Sequence, residues 1–494
     1  MRILNAERLA AHGNTPGRRA MVEILEAGLQ AADPYPNTRK LVRVEHGKLI
    51  VGGSDFEPSG TPNRGEQVFD LASVGRILVV GAAKGVQRVA KALEDVLGDR
   101  LSGGHVIDKI GSPLILERIG VTLGGHPVPD QGCIRGSKRI LELLQGLHKE
   151  DIVFTIAGNG VSSLLTLPVP GVSLEDVRQT TYMMQIERGA PTVDLNPIRN
   201  HLDLMKGGRI SRYLQPATAI HIVAVDPERA SSGEGGYDKL VRKNIWLHTL
   251  PECSTFADAV AMLKKWDAWE AVPATVRAHL LRADPAGETV KVAEFERTRF
   301  RIFAIMPKQL SMLPAAQAKA AALGFTPYTL CTWLQCEAAP AGTVVAQIAR
   351  SVEREGLPFA PPCALFSNGE LLVTVGKENG IGGRNQEYAL SAALAIAGSK
   401  NVIVGAVDSD GNDGPGGQFV ADGEGIPTLA GGIVDGETAA EALAVGVDIR
   451  AELRRHNATP ALWRLDSGVH ATYNISLNDL GVTLVQGRAN TEEG

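Results

Sequence analysis

Arg76-Ile77-Leu78-Val79-Val80-Gly81 is an apolar run closed by a glycine, and the stretch that follows puts Val86, Val89, Ala90, Leu93, Val96 and Leu97 on one stripe. A short apolar run followed by a stripe of helical period reads as strand, turn and amphipathic helix. The pattern recurs. Asp151-Ile-Val-Phe-Thr-Ile156 precedes the turn AGNG, Ala219–Val225 precedes Asp226, and Thr326-Pro-Tyr-Thr-Leu330 follows an alanine-rich helical segment. Further apolar runs stand at Arg301–Met306, Leu371–Val375 and Asn401–Val407. Strands that alternate with helical stripes require crossover connections, so the expected class is α/β with a largely parallel, Rossmann-like sheet.

Outward from these units, residues 19–32 (RAMVEILEAGLQAA) carry Met21, Ile24, Leu25 and Leu29 at helical spacing until Asp33-Pro34 stops the helix. Residues 255–292 read as helical pieces broken by Pro273 and Pro285. A chain of 494 residues exceeds what one hydrophobic core ordinarily serves. Two domains are expected, a larger one over 1–290 and a smaller α/β one over 291–494.

Composition narrows the function. With 44% apolar and 21% charged residues the chain is ordinary globular material, and a formal charge of −5 without a Lys/Arg block opposes nucleic-acid or membrane-surface binding. No apolar run approaches a membrane span, and the start MRILNAERLAAHGNTPGRRA lacks the apolar centre of a signal peptide, so a cytoplasmic location is expected. The cysteines at 133, 253, 331, 336 and 363 form no CxxC pair, which leaves buried free thiols as the plain reading.

In an open α/β sheet, ligands sit beyond the carboxyl ends of the strands. Lys84, in the turn Gly81-Ala-Ala-Lys84-Gly85, stands at the opening of a helix, where backbone N–H groups favour an anion. A solvated surface lysine explains the same spacing. The turn Gly158-Asn159-Gly160-Val161-Ser162-Ser163 offers glycines and hydroxyls for close approach to phosphate oxygens, or is structural. It is no dinucleotide fingerprint, since GxGxxG requires glycine where Ser163 stands, and no GxxxxGK[ST] occurs.

Three further stretches collect polar chemistry. Asn196-Pro-Ile-Arg199-Asn-His201-Leu-Asp-Leu-Met-Lys206-Gly-Gly-Arg209 concentrates cations, and one helix through it places Arg199 and Lys206 on a common face, facing an anion or plain solvent. Gly382-Gly-Arg384-Asn385-Gln-Glu387 opens an Ala/Leu-rich helix, where the arginine fork orients a charged ligand unless the segment is mere capping. Asp408-Ser-Asp410-Gly-Asn412-Asp413-Gly-Pro415 clusters carboxylates after a strand, fit to hold Mg²⁺ or accept a hydroxyl proton, with an Asx-rich turn as the plainer alternative. It is no EF-hand, because Asp413 and Phe419 stand where that loop needs Gly and Glu.

In this order, VVGAAKG at 79–85, GGHPVPD at 124–130, NPIRNHLDLMKGGRIS at 196–211, SNGELLVTV at 367–375, GIGGRNQE at 380–387 and DSDGNDGP at 408–415 resemble the MOFRL-domain glycerate 2-kinase family, DUF4147 plus MOFRL, over most of the chain. The resemblance implies two α/β domains facing a cleft, ATP and Mg²⁺, and γ-phosphoryl transfer to the 2-hydroxyl of D-glycerate or a related small hydroxy acid. It implies catalytic roles for Lys84, Arg384 and Asp410, with Lys84 and Arg384 on the acid's carboxylate or the transferring phosphoryl. Asp410, with Asp413 in support, would hold Mg²⁺ or take the proton. Gly158, Asn159, Gly160, Ser162, Ser163, Asn196, Arg199, His201, Lys206, Asn385 and Glu387 would bind substrate or nucleotide. A homodimer is allowed.

The chain departs from the family pattern at three loops. Gly158-Asn-Gly-Val-Ser162 replaces SGGGS, the segment 226–237 replaces SDVxGD and its sequel, and Tyr473–Asp479 replaces TGTNVND. Asn379 occupies the place of a lysine, with Lys377 nearby. A hydroxypyruvate reductase and a non-catalytic protein that binds a small acid are the alternatives.

Overall fold

The structure is a computed structural model that describes residues 1–227, 236–376, 378, 380–414 and 425–487. The chain divides into two compact units, one of residues 34–308 and one of residues 1–33 with 309–494. Each contains its own six-stranded sheet.

The unit of residues 34–308 begins with a small antiparallel sheet, β1 (Val42–Glu45), β2 (Lys48–Val51) and β3 (Gln67–Asp70). Its main sheet consists of β4 (Ile77–Ala82), β5 (Gly103–Lys109), β6 (Gly120–Gly124), β7 (Ile152–Ala157), β8 (Thr218–Val223) and β9 (Phe300–Ala304), in the order β6-β5-β4-β7-β8-β9. Every pairing is parallel. Every residue of β4, β7 and β8 is buried, which is why these strands read as unbroken apolar runs rather than alternating ones. The stripe at 86–97 forms the helix Val86–Leu97, with Val86, Val89, Ala90, Leu93 and Leu97 buried. A satellite core of Leu195, Ile198, Phe256, Leu263 and Leu280 joins the helices Thr192–His201, Phe256–Lys265 and Ala274–Arg282.

The other unit holds β10 (Thr326–Leu334), β11 (Cys363–Gly369), β12 (Val402–Asp408), β13 (Gly431–Asp435), β14 (Gly468–Val469) and β15 (Asp479–Val485), in the order β10-β11-β15-β12-β13-β14. Only β10 with β11 is parallel; the other four pairings are antiparallel, so this sheet is mixed. Side chains alternate between faces. Ile403, Val407, Leu480 and Val482 pack against the helices Thr15–Ala31 and Met312–Ala322, whereas Val402, Val404 and Val485 pack under Ala338–Glu355 and Arg384–Ala395.

Two expectations change. The division at 290 gives way to one at 34 and 308. The stripe Met21, Ile24, Leu25 and Leu29 buries itself on β12 and β15, pinned by the fully buried pair Arg18–Asp435 at 2.5 Å, and the run at 301–306 supplies β9 to the parallel sheet. The run Leu371–Val375 is not a strand of the sheet. It makes a single bridge from Leu372 to Glu337 and leaves Leu372 55% exposed, because Cys363–Gly369 already lies between β10 and β15. Among the described residues no helix is long and apolar enough to cross a membrane.

Candidate active site

The strand order of the parallel sheet reverses between β4 and β7, and the loops leaving these neighbours part there to form the crevice that open α/β sheets use for ligands. Lys84 and the 158–163 turn meet at this point. The backbone N–H of Lys84 donates to Asn159 O at 2.8 Å. Gly160 adopts φ +88°, and a Cβ there would lie 2.8 Å from Lys84 Cγ and 3.4 Å from the His126 ring. The loop after β6 therefore joins the loops after β4 and β7, and Ser163 Oγ fastens it by donating to Gly125 O at 2.9 Å. Gly158, Asn159, Gly160, Ser162 and Ser163 thus gather beside Lys84. His126, within the GGHPVPD stretch, joins them without having been singled out.

Asp108, at the end of β5, went unnoticed in the sequence. It is buried and accepts from Gly85 N at 3.0 Å, Gln87 Nε2 at 3.0 Å and Ser112 Oγ at 3.1 Å. Burial pushes its carboxyl above the usual range. Its oxygens are committed to the turn that carries Lys84, where a dinucleotide-binding sheet spends its acidic residue on a ribose.

The 196–209 segment divides its residues among different tasks. The helix Thr192–His201 ends before Lys206, so Arg199 and Lys206 do not share a helical face. Lys206 is buried and gives its ammonium to Asp203 Oδ2 at 2.6 Å and Thr166 Oγ1 at 2.8 Å, so an internal ion pair takes the charge expected to meet phosphates. His201 has both ring nitrogens engaged, with Pro197 O at 2.7 Å and Glu288 Oε1 at 2.8 Å, and packs on Phe256. It braces the helical core rather than facing a ligand. Asn196 and Arg199, three residues apart on one face, are also buried.

In the other unit the chemistry collects around the start of the helix Arg384–Ala395. Arg384 Nε lies 2.8 Å from both carboxylate oxygens of Asp479, and a terminal nitrogen lies 2.9 Å from Asp408 Oδ2. Two buried aspartates thus engage Nε and one terminal nitrogen of the fork expected to meet the acid's carboxylate or the transferring phosphoryl, while the other terminal nitrogen lies 3.7 Å from Glu370 Oε1. Asp413 accepts from Asn385 N at 3.2 Å and Gln386 N at 2.9 Å, capping that helix. Gly383 allows this approach, since a Cβ there would come within 2.3 Å of Asp413 Oδ2. Burial pushes Asp413 up to about 6 and raises Asp479 as well. Asn385 Nδ2 bridges Asp479 at 2.7 Å and Asp413 at 3.2 Å. Glu387 pairs with His456 at 2.8 Å, and its burial also raises its carboxyl.

Asp410 is 3% exposed in the turn after β12; one carboxylate oxygen accepts Asn412 N at 2.8 Å, and its carbonyl accepts Asn474 N at 3.1 Å. Among the described residues, Asp408, Asp413, Asp479 and Glu370 stand around the Arg384 guanidinium, and Asp410 follows two residues after Asp408. Hard oxygen donors in excess of positive charge suit Mg²⁺, which typically takes one or two carboxylates and completes its shell with water and phosphate. Asp408 and Asp410 fit that pattern, whereas Asp413 spends its oxygens on the helix amides. Among the described residues no group of three or more His, Cys, Asp and Glu is arranged as a closed metal site. Residues 228–235, Lys377, Asn379 and Pro415, which belong to the altered stretches and motifs, lie outside the described residues.

Each unit carries most of one recognisable class of sequence, although residues 20–33 of the first match belong to the other unit. Residues 20–227 match the domain of unknown function DUF4147, and residues 363–475 match the MOFRL family. The chain is 33% identical over 450 residues to the glycerate 2-kinase of Pyrococcus horikoshii, covering 90% of this chain and 92% of that one. It is likewise 33% identical over 437 residues to the D-glycerate 2-kinase of Thermotoga maritima, covering 85% and 93%. A protein of Agrobacterium vitis named as a putative hydroxypyruvate reductase is 30% identical over 418 residues, covering 83% and 87%. The crystal structure of a Thermotoga maritima glycerate kinase superposes with a TM-score of 0.69 at 29% identity, covering 94% of this chain and 99% of that one. The chain belongs to the MOFRL-type glycerate 2-kinase family.

Proposed function

We propose that the protein is a kinase that transfers the γ-phosphoryl of ATP to the 2-hydroxyl of D-glycerate or a related small hydroxy acid, with Mg²⁺. The observation that carries this reading is the buried acidic turn of Asp408 and Asp410, in which Asp408 pairs with Arg384 at 2.9 Å. In the reaction the hydroxyl oxygen bonds to the γ-phosphorus, the bond to the bridging oxygen breaks, ADP leaves, and the hydroxyl proton passes to Asp410 or, where Asp410 holds Mg²⁺, to water. Phosphoryl transfer depends on positioning and on charge neutralisation more than on covalent chemistry. Mg²⁺, when bound, would neutralise charge on the phosphoryl oxygens, with Asp408 and Asp410 as its holders. Arg384 keeps Asp408 in place through their ion pair, and Lys84 supplies positive charge to an anionic substrate.

A reductase would require a dinucleotide, and the commitment of Asp108 to the Lys84 turn opposes that reading. Charged, water-soluble substrates suit a cytoplasmic enzyme. The test is ADP release by the purified protein with Mg-ATP and a panel of hydroxy acids that includes D-glycerate and four- to six-carbon aldonates. Turnover on one acid, reduced about 10²- to 10⁴-fold in Lys84→Ala and in Asp410→Asn, is the expected result. Silence across the panel, with ligand-induced thermal stabilisation retained, would favour a non-catalytic binding protein instead.

A further inference from the structure

The parallel-sheet unit contains a buried cation without a counter-ion among the described residues. Arg199 is 7% exposed, and its one hydrogen bond among the described residues goes to the neutral Gln185 Oε1 at 2.8 Å. No carboxylate lies within ion-pair distance of it among those residues. Burial alone lowers its pKa to about 10, so it stays charged at neutral pH. Removing a guanidinium from water without a paired anion costs several kcal/mol.

Asn196, on the same helical face, is completely buried, and neither its Nδ2 nor its Oδ1 has a hydrogen-bond partner. Native proteins leave few such groups unsatisfied. A third unsatisfied group comes from outside the helix. His248 is buried, its Nδ1 is unpartnered, and its Nε2 shares a hydrogen bond with Ser162 Oγ at 2.8 Å. Burial, reinforced by the charges of Lys206 and Arg199, lowers its pKa and keeps it neutral.

The fold holds these groups together from two sides. Gly208 N donates to His248 O at 3.1 Å, and Asn200 Nδ2 donates to Ile245 O at 2.9 Å, so the 245–248 segment is tied to the end of the helix that carries Asn196 and Arg199. Ser162 links His248 to the turn after β7, two residues from the glycine that faces Lys84. Lys206 contributes no surplus charge, because Asp203 matches it.

We infer that Arg199, Asn196 and His248 form an oxyanion-binding subsite that takes either the carboxylate of the small acid or phosphoryl oxygens of the nucleotide. The inference deepens the proposed kinase reading and rests on it for the identity of the anion. The guanidinium supplies charge and two parallel donors, Asn196 supplies an amide donor, and the neutral His248 fixes the orientation of the third contact. The two sources share this chemistry and are separated by experiment.

The full chain is tested by calorimetry and thermal unfolding with three probes: D-glycerate, ADP and inorganic phosphate. Arg199→Met and Asn196→Leu replace unsatisfied polar groups with apolar ones of similar size. Both variants should therefore match or exceed the wild-type Tm without ligand, yet bind one probe about 10- to 100-fold more weakly. Loss confined to D-glycerate names the carboxylate. Loss confined to ADP and phosphate names the phosphoryl group. The inference is overturned if wild-type protein binds none of the probes, or if both variants bind all of them as wild type does. If wild type fails to release ADP with glycerate yet Arg199→Met loses phosphate binding, the kinase reading falls and the subsite stands.

Discussion

Arg384 grips Asp479 through its Nε, which is 2.8 Å from both carboxylate oxygens of a residue 95 positions away in the chain. The contact joins the start of a helix to the start of β15, and it puts an aspartate outside both motifs at the centre of the candidate site.

Removing one partner of a buried ion pair leaves the other charge unmatched, a loss of about 3 kcal/mol or more. Asp479→Ala should lower the unfolding free energy by that order in urea denaturation, since only Asp408 and the half-exposed Glu370 at 3.7 Å then remain on Arg384 among the described residues. Turnover should fall as well. An Asp479→Ala protein with unchanged stability would show that the pair is not structural.

Asp413 gives the protein a pH dependence of defined sign. Its carboxyl rises from 3.8 to about 6 on folding, so between these values the native state binds more protons than the unfolded chain and stability from this group declines as pH rises. The full effect, on the order of 3 kcal/mol, is reached above pH 6. Comparing wild type with Asp413→Asn at pH 4, 5, 6 and 7 should show wild type losing ground to the variant across that interval and no further change above it.

His221 works in the opposite direction. It is completely buried on β8, its Nδ1 is 2.8 Å from Thr155 Oγ1, and burial pushes it down to about 3. Below its unfolded value near 6.5 the unfolded chain takes up a proton that the native state refuses, so stability falls as pH falls, by about 1.4 kcal/mol per pH unit. His221→Leu should unfold less readily than wild type at pH 4 relative to pH 7; an identical acid profile would remove His221 as the cause.

Gly160 sits where a side chain is costly for two reasons. At φ +88° an L-residue is strained by about 1–2 kcal/mol, and its Cβ would press on Lys84 Cγ. Gly160→Ala should lower Tm modestly and reduce turnover more than the stability loss explains. Normal turnover would mean that Lys84 does not need its present position.

Much of the fold is written locally. The buried strands β4, β7, β8 and β12 announce themselves as apolar runs, and the stripe at 86–97 as a helix, because burial on both faces of a sheet demands continuous apolar residues. Strands with polar or glycine-rich sequence, such as GGHVIDK at 103–109, lack that signal and emerge only through their pairing with β4. The domain division failed locally for a related reason. An amphipathic helix advertises an apolar face but not which sheet will cover it, and Thr15–Ala31 chose the distant one.

Lys84, Asp410 and the glycine turn could be singled out because a polar residue directly after an apolar run stands at a strand end in any α/β sheet, and Arg384 because it opens an Ala/Leu-rich helix. That inference needs only neighbouring residues. The partner of each charge was a different matter: Asp203 claiming Lys206, Asp479 meeting Nε of Arg384, Asp413 capping a helix, and Arg199 meeting no anion among the described residues. Ion pairing acts over a few ångströms of space rather than along the chain, so only the folded arrangement decides which charges are satisfied internally and which remain available to a ligand.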